Sequence, residues 1–313
     1  MRVAWILVSS LAIAPGCVEP IEQTPGDATE ADGGDASDGT GEDDGSEAPP
    51  ADDGAADHPW TPPAASLVYV NTQTTLYTID PAVSPDLQPV GDFAGPCTDG
   101  SGFYDIAIDG DGNLVGIAAE GLYAVDHDTA VCTLLHAFPA DAPHYFSLSY
   151  VRGADAAAPD TDVLFAASVE QGEWLRIDPT GTTAAEIFRH VGYYDPSSYR
   201  WISSGDIVSV QTGPASFRTF ATIKCSTGYT DPGCTSDWLA EIEPTTGVAR
   251  LIGETGFQQV FGLGFWGNRV YGFTNGGDYV RIDVGTGRGE LVQSLPDSRF
   301  WGAGTTTQPY VLL

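Results

Sequence analysis

Five copies of one short motif constrain this chain more than any other feature. Leu76-Tyr77-Thr78-Ile79-Asp80-Pro81 is echoed by Leu122-Tyr123-Ala124-Val125-Asp126 and by Trp174-Leu175-Arg176-Ile177-Asp178-Pro179. Leu239-Ala240-Glu241-Ile242-Glu243-Pro244 and Tyr279-Val280-Arg281-Ile282-Asp283 follow. β-Branched, aromatic and aliphatic residues dominate each copy, Gly, Pro or Thr turns follow it, and no helical period is sustained. The closing acids lie 46, 52, 65 and 40 residues apart. A supersecondary unit recurring at about 40–50 residues cannot bury its apolar face alone and must stack on its neighbours.

The surroundings of the motif repeat as well. After the acid comes a turn, as in Pro179-Thr180-Gly181, Thr245-Thr246-Gly247 and Gly285-Thr286-Gly287, and then another short strand. Upstream lies a hairpin, clearest where Phe103 to Ile108 turns through Asp109-Gly110-Asp111-Gly112 into Asn113-Leu114-Val115-Gly116. Phe261 to Phe265, turning at Trp266-Gly267-Asn268 into Arg269 to Gly272, is its counterpart near the end. Asp-Gly and Gly-Asn suit such hairpins because they tolerate positive φ. Four strands per unit at this period predict an all-β fold, a β-propeller of five four-stranded blades spanning 64–313. The ring has six blades if the 65-residue interval conceals a degenerate one. The first unit begins at Leu67-Val68-Tyr69-Val70 without an inner strand, and Phe300 to Thr305 forms an orphan strand. Pairing the two closes the ring and removes an exposed sheet edge. A β-sandwich does not predict five spaced copies of one motif.

These repeats resemble those of the NHL, YVTN and gluconolactonase-like propellers, and of uncharacterised bacterial β-propeller lipoproteins. The resemblance covers about four-fifths of the chain and speaks to architecture, because propellers host many activities. For the gluconolactonase-like members it implies an axial metal held by a Glu, an Asn and an Asp from different inner strands. Here Asp105 and Asp206 are the only inner-strand carboxylates, among Ser147, Ser149, Ser203, Ser204, Gly262, Gly264, Gly302 and Gly304. No Glu or Asn completes the set, and the small residues suit crowding near an axis. No G-x-S-x-G elbow or H-E-x-x-H helix is present.

The N-terminus reads as targeting sequence. Met1-Arg2 precedes an apolar Val3 to Ile13, too short to span a bilayer, and Ile13-Ala14-Pro15-Gly16-Cys17 resembles a lipobox. Residues 1–17 are therefore expected to be a lipoprotein signal with Cys17 acylated. Residues 18–62 carry 14 Asp and Glu with no Lys or Arg and almost no aliphatics. Such a segment cannot offset chain entropy by burial, so 18–63 is expected to be a disordered acidic tether. The expected location is extracytoplasmic, lipid-anchored to the envelope, at the outer membrane. A formal net charge of −31 leaves no basic cluster for nucleic acid.

With Cys17 set aside, Cys97, Cys132, Cys225 and Cys234 remain, an even number. Proximity favours Cys225–Cys234 and Cys97–Cys132 among three connectivities. No C-x-x-C or Cys-His spacing supports zinc. The repeated acids Asp80, Asp126, Asp178, Glu243 and Asp283 are expected to cap their turns at the periphery. Asp109, Asp111, Asn113 and Glu120 match part of an EF-hand calcium loop, although Leu114 stands where Gly is needed and the turn itself explains all but Glu120. The loop Tyr193-Tyr194-Asp195-Pro196-Ser197-Ser198-Tyr199-Arg200-Trp201 is the richest in recognition residues, with Tyr193, Tyr194, Tyr199, Arg200 and Trp201 able to stack on a sugar or grip a peptide. The sequence thus points to a non-catalytic binding module for protein, peptide or glycan, with a metal-dependent hydrolase or lactonase as the alternative. Calcium is the one cofactor it suggests.

Overall fold

A computed structural model describes residues 67–139, 147–155, 157–213 and 216–308; the expected signal, Cys17 and the expected tether lie outside them. The chain forms antiparallel strands that follow one another without crossing. In order these are β1 (Val68–Asn71), β2 (Thr75–Asp80) and β3 (Ser84–Asp92). Next come β4 (Asp105–Ile108), β5 (Leu114–Ala118), β6 (Gly121–Val125) and β7 (Cys132–Ala137). β8 (Ser147–Arg152), β9 (Asp162–Ala167), β10 (Glu173–Ile177) and β11 (Phe188–Tyr193) form a third group. The fourth is β12 (Trp201–Gly213), β13 (Ser216–Cys225), β14 (Trp238–Ile242) and β15 (Ala249–Glu254). β16 (Val260–Trp266), β17 (Arg269–Thr274), β18 (Asp278–Ile282) and β19 (Gly289–Ser294) form the fifth, followed by β20 (Gly302–Gly304).

Each group is one four-stranded sheet, except that β20 joins β1, β2 and β3 as the inner strand of the first blade. Tyr69 pairs with Gly304, Val70 with Ala303 and Asn71 with Gly302, which is the closure expected from the orphan strand. The fold is a five-bladed β-propeller. The five motif copies are β2, β6, β10, β14 and β18, the third strand of each blade. The 65-residue interval holds no sixth blade. It is filled by the 13-residue β12, the 10-residue β13 and the loop between Cys225 and Cys234.

Burial falls outward along each blade. Every residue of β4 and β20 is buried, whereas the outermost β7, β15 and β19 are mostly open to water. Apolar side chains from neighbouring sheets meet in five separate clusters, one per blade interface. Phe165 and Trp174 meet Ile223 and Ala240 between the third and fourth blades, and Tyr279 and Phe273 meet Val68 and Ile79 across the closure. The closing acids behave as turn caps. Asp126 Oδ1 accepts the Thr129 amide at 2.9 Å, Asp178 Oδ1 the Thr180 amide at 3.0 Å and Asp283 Oδ1 the Thr286 amide at 2.9 Å.

Near the axis the inner strands leave little room for side chains. A Cβ on Gly302 would stand 2.1 Å from Asp105 Oδ1, and one on Gly205 2.2 Å from the Val260 carbonyl oxygen. Two carboxyl side chains nevertheless enter this space and are wholly buried, Asp105 and Asp206. Asp105 Oδ1 accepts the Ile106 amide at 2.8 Å, and its Oδ2 accepts the Leu148 amide of the third blade at 2.7 Å. Asp206 Oδ1 accepts the Ile207 amide at 2.5 Å. Its Oδ2 accepts Leu263 of the fifth blade at 2.6 Å and Ala303 of the first at 3.3 Å. The two carboxyls are also hydrogen-bonded to each other. Burial pushes both well above the carboxylate range, and for Asp105 the charge of Asp206 adds to it. The pair therefore keeps a proton, with Asp105 as its donor to Asp206.

Removing one carboxylate orphans several buried amides at once. Asp206→Ala leaves the Ile207, Leu263 and Ala303 amides without this acceptor, a loss of about 3 kcal/mol or more. Thermal unfolding should drop by roughly 6–12 °C, given about 2–4 °C per kcal/mol for a domain of this size. Asp283→Ala, in an exposed turn, should shift the melting point much less. Equal shifts would show that the axial pair carries no special weight.

Candidate functional site

The face on which the inner strands begin carries the chemistry. Where β12 starts, Ser204 and Gly205 approach the axis; Phe261 follows the first residue of β16, and Trp301 directly precedes β20. Val169, from the turn between β9 and β10, and Lys224, at the end of β13, complete the ring. Together these residues line a cavity of about 260 Å³. The Trp301 ring stands 5.9 Å from Phe261 and 6.0 Å from Tyr104, giving an aromatic wall. Beneath it the axis is shut. Ser203 Oγ donates to the Gly205 carbonyl at 2.8 Å, Ser147 Oγ reaches the same oxygen, and the Asp105–Asp206 pair follows.

Ser204 ties the cavity to a buried polar corner. Ser204 Oγ donates to Asp237 Oδ1 at 2.7 Å, and the Tyr229 hydroxyl donates to the same oxygen at 2.7 Å. The Val260 amide donates to Asp237 Oδ2 at 2.7 Å, and the Gln259 amide to the Tyr229 oxygen at 2.9 Å. Asp237 is fully buried. Burial pushes its carboxyl up to about 6, against the opposing pull of these hydrogen bonds and of the Lys224 charge. Burial, followed by the charge of Asp237, raises the Tyr229 hydroxyl as well. Tyr229 itself sits in the loop closed by Cys225–Cys234.

The aromatic loop before β12 lies on the same face, and the structure divides it. Tyr193 and Tyr199 meet edge to face at 5.1 Å, with Tyr199 48% exposed at a φ of 52°. Arg200 lies 5.3 Å over the Trp201 ring, with Nη2 3.9 Å from the Asp231 carboxylate. Trp201 packs at 5.4 Å on Trp238. Tyr194 does not share this surface. It is buried in the interface core, 6.1 Å from Trp174. Asp195 fixes the turn by accepting from Ser197, Ser198 and Arg200; despite some burial, these bonds hold its carboxyl down at about 2.

Other expected groups are not brought together. Asp109 Oδ1 accepts the Asp111 and Asn113 amides at 2.9 and 2.8 Å, and its Oδ2 takes the Asn113 side-chain amide at 2.8 Å. Glu120 lies at the opposite end of β5, about 17 Å of strand away, and accepts the Ser101 amide at 3.2 Å. Both disulfides pair as proximity suggested, Cys97 with Cys132 and Cys225 with Cys234. Cys225, Asp231 and Cys234 are the only three clustered metal-type donors among the described residues, and two of them are joined in that disulfide.

The axial residues do not fit a divalent cation of the kind the family resemblance implies. Both Asp105 oxygens and both Asp206 oxygens already take main-chain N–H groups, and the pair retains a proton. Of nearby acceptors, Asn71 Oδ1 alone is buried without a donor, and no Glu stands with it. A six- to eight-oxygen shell cannot be assembled from this set.

No family model matches the chain, and no curated protein matches it. Solved structures do. A putative 6-phosphogluconolactonase from Bacteroides fragilis is 8% identical, with 77% of this chain and 98% of that one covered and a TM-score of 0.41. Regucalcin from Agrobacterium tumefaciens, a calcium-binding protein, is 13% identical over 80% and 79%, TM-score 0.37. The PQQ-bound aldose sugar dehydrogenase from Streptomyces coelicolor is 16% identical over 72% and 66%, TM-score 0.40. Similarities this distant carry no function across; the propeller assignment rests on the sheets of the chain itself.

Sequence reading missed Lys224, Val169 and Asp237 as members of this site. Lys224 had a visible signal, being the only lysine in the chain.

Asp237 also sets a pH dependence. A carboxyl raised from about 3.9 in the unfolded chain to about 6 in the fold favours the protonated native state. Its contribution is complete below about pH 4 and is lost as pH rises through 6, about 3 kcal/mol in all. Chemical denaturation of Asp237→Asn should lack this decline, so the wild-type-minus-variant difference should slope downward from pH 4 to 6.5. A level difference across that range would assign Asp237 an ordinary titration.

Proposed function

We propose that the protein is a lipid-anchored, extracytoplasmic binding propeller that takes a small glycan-type ligand at the mouth of its closed axis, without catalysis. The observation that carries this reading is the cavity itself: a largely apolar space walled by Trp301 and Phe261, with Ser204 and Lys224 as its few polar groups. Concave sites with a few placed polar groups are where small ligands bind. The Tyr193–Tyr199 edge and the Arg200–Trp201 pair extend the same face outward and give a larger ligand somewhere to continue. Two disulfides suit an oxidising compartment. Cys17 as the acylated residue, and residues 18–63 as a charged spacer, fit a propeller held off an outer-membrane surface.

The metal-dependent hydrolase reading is the weaker of the two, because the axial carboxylates spend their oxygens on main-chain amides and on each other.

Two outcomes are expected. Cys17→Ser should move the protein from the membrane fraction to the soluble envelope fraction and abolish labelling by radioactive palmitate; retained label would remove the anchor. Calorimetric titration of a monosaccharide and oligosaccharide panel should yield a ligand whose affinity falls at least tenfold in Trp301→Ala and is unchanged by prior chelation and dialysis. Binding indifferent to Trp301 would displace the site, and binding lost with chelation would revive the metal-dependent reading.

A further inference from the structure

The charge at the axial mouth is out of keeping with the rest of the molecule. The chain has 12 Lys and Arg against 43 Asp and Glu, and its single lysine lines the cavity. Arg152, Arg176, Arg200, Arg218, Arg250 and Arg281 each face a carboxylate within 4.0 Å. Arg189, Arg269, Arg288 and Arg299 stand in water. Lys224 does neither. It is half-buried against a largely apolar cavity and, among the described residues, has no ion-pair partner within 4.0 Å. Asp237 is near enough to feel its charge, yet the Asp237 oxygens are occupied by Ser204, Tyr229 and Val260. A half-buried ammonium with no ion pair of its own, whose nearest carboxylate is already engaged by three donors, is a site at which an added anion gains a partner.

The neighbours of Lys224 narrow what would complete it. Ser204 donates its own proton to Asp237, so its oxygen offers the cavity a lone pair and accepts from a ligand hydroxyl. Trp301 and Phe261 offer ring faces that suit the C–H face of a sugar. One ammonium beside an acceptor matches a monoanion; a phosphate dianion would need several donors that this corner lacks. At about 260 Å³ the space lies below the 300–1,000 Å³ usual for drug-sized ligands and suits one ring.

We propose that the cavity binds a monosaccharide ring bearing a carboxylate, with the acid on Lys224, a hydroxyl on Ser204 and the apolar ring face against Trp301 and Phe261. This rests on the mouth of the axis being the binding site, and the test separates the two. Glucuronic acid, glucuronamide, glucose and benzoic acid are titrated into the full-length protein in detergent. Glucuronic acid should bind at least about tenfold tighter than glucuronamide, a difference of about 1.4 kcal/mol, and tighter than benzoic acid. Lys224→Gln should erase the acid–amide difference while leaving the weak binding of glucuronamide, and Trp301→Ala should weaken both sugars. Equal affinity for acid and amide, or benzoic acid binding more tightly than glucuronic acid, overturns the acid-sugar assignment and leaves the mouth as a site. Absence of binding by every sugar overturns both. A measurement on the unmutated protein guards against a variant that misfolds: acetylation of Lys224 by a limiting reagent, followed by mass spectrometry, should slow at least threefold when glucuronic acid is present and not when glucuronamide is. Equal acetylation rates in the two solutions count against Lys224 as the acid's partner.

Discussion

Two buried carboxyls reach every blade of this ring. Asp105 belongs to the second blade and binds the third; Asp206 belongs to the fourth and binds the fifth and the first. Their mutual hydrogen bond ties the two sets together. Isolated charges in such a space would be strongly disfavoured, and a shared proton with five main-chain amides is what makes the burial tolerable. A propeller otherwise coheres through contacts between neighbouring sheets, each interface independent of those across the axis. The pair supplies a cross-axis connection, and it does so in a layer where glycines such as Gly205 and Gly302 are needed because a Cβ there would collide. Opening any one blade would expose part of this network, so the axial layer couples the cooperativity of five sheets that share no strand.

Closing the axis also determines what the mouth can be. A propeller with an open channel offers its ligand a wet shaft; here the serine pair and the acid pair fill the shaft, and the mouth becomes a shallow cup with a defined floor. The cup's walls come from strands and turns of several blades, positioned by the inner-strand starts and not by one loop. The disulfide between Cys225 and Cys234 adds to this by closing the loop that carries Tyr229, whose hydroxyl joins Ser204 and the Gln259 amide to Asp237. Position in the cup is therefore set by covalent and buried hydrogen-bonded structure, which limits the entropy lost on binding.

The architecture was legible because it is periodic. A third strand such as Trp174 to Ile177 looks alike in every blade, since each occupies the same environment between two sheets and ends in the same acid-capped turn. The missing inner strand at one end and the orphan at the other were complementary for the same reason. The site was less legible, since its contacts join residues with no local pattern: Ser204 and Asp237 are 33 positions apart, and Asp206 and Ala303 97 apart. Tyr194 illustrates the opposite failure. It follows the last residue of β11, between the half-buried Tyr193 and Asp195, and turns into the core against Trp174. Glu120 fits a calcium loop by counting, yet a β-strand carries it away from Asp109 where a helix–loop–helix would have brought it back. Spacing has chemical meaning only once the local geometry that converts spacing into distance is known.

A protein this acidic attracts cations at long range and repels anions, so an anion site on it cannot rely on steering. At physiological ionic strength the field of distant carboxylates is screened beyond about 8 Å, and inside a half-closed cup the nearest charges dominate. There the balance is local: Lys224 is positive, Asp237 is partly protonated near pH 6, and the axial pair below carries one proton. Acidification toward pH 6 neutralises Asp237 and leaves Lys224 as the uncompensated charge, so affinity for an anionic ligand should strengthen as pH falls through that range. The surrounding acidity then works as a filter. On the proposed reading, that acidity disfavours polyanionic chains and anionic lipid headgroups, while a single small acid inside the cup meets Lys224.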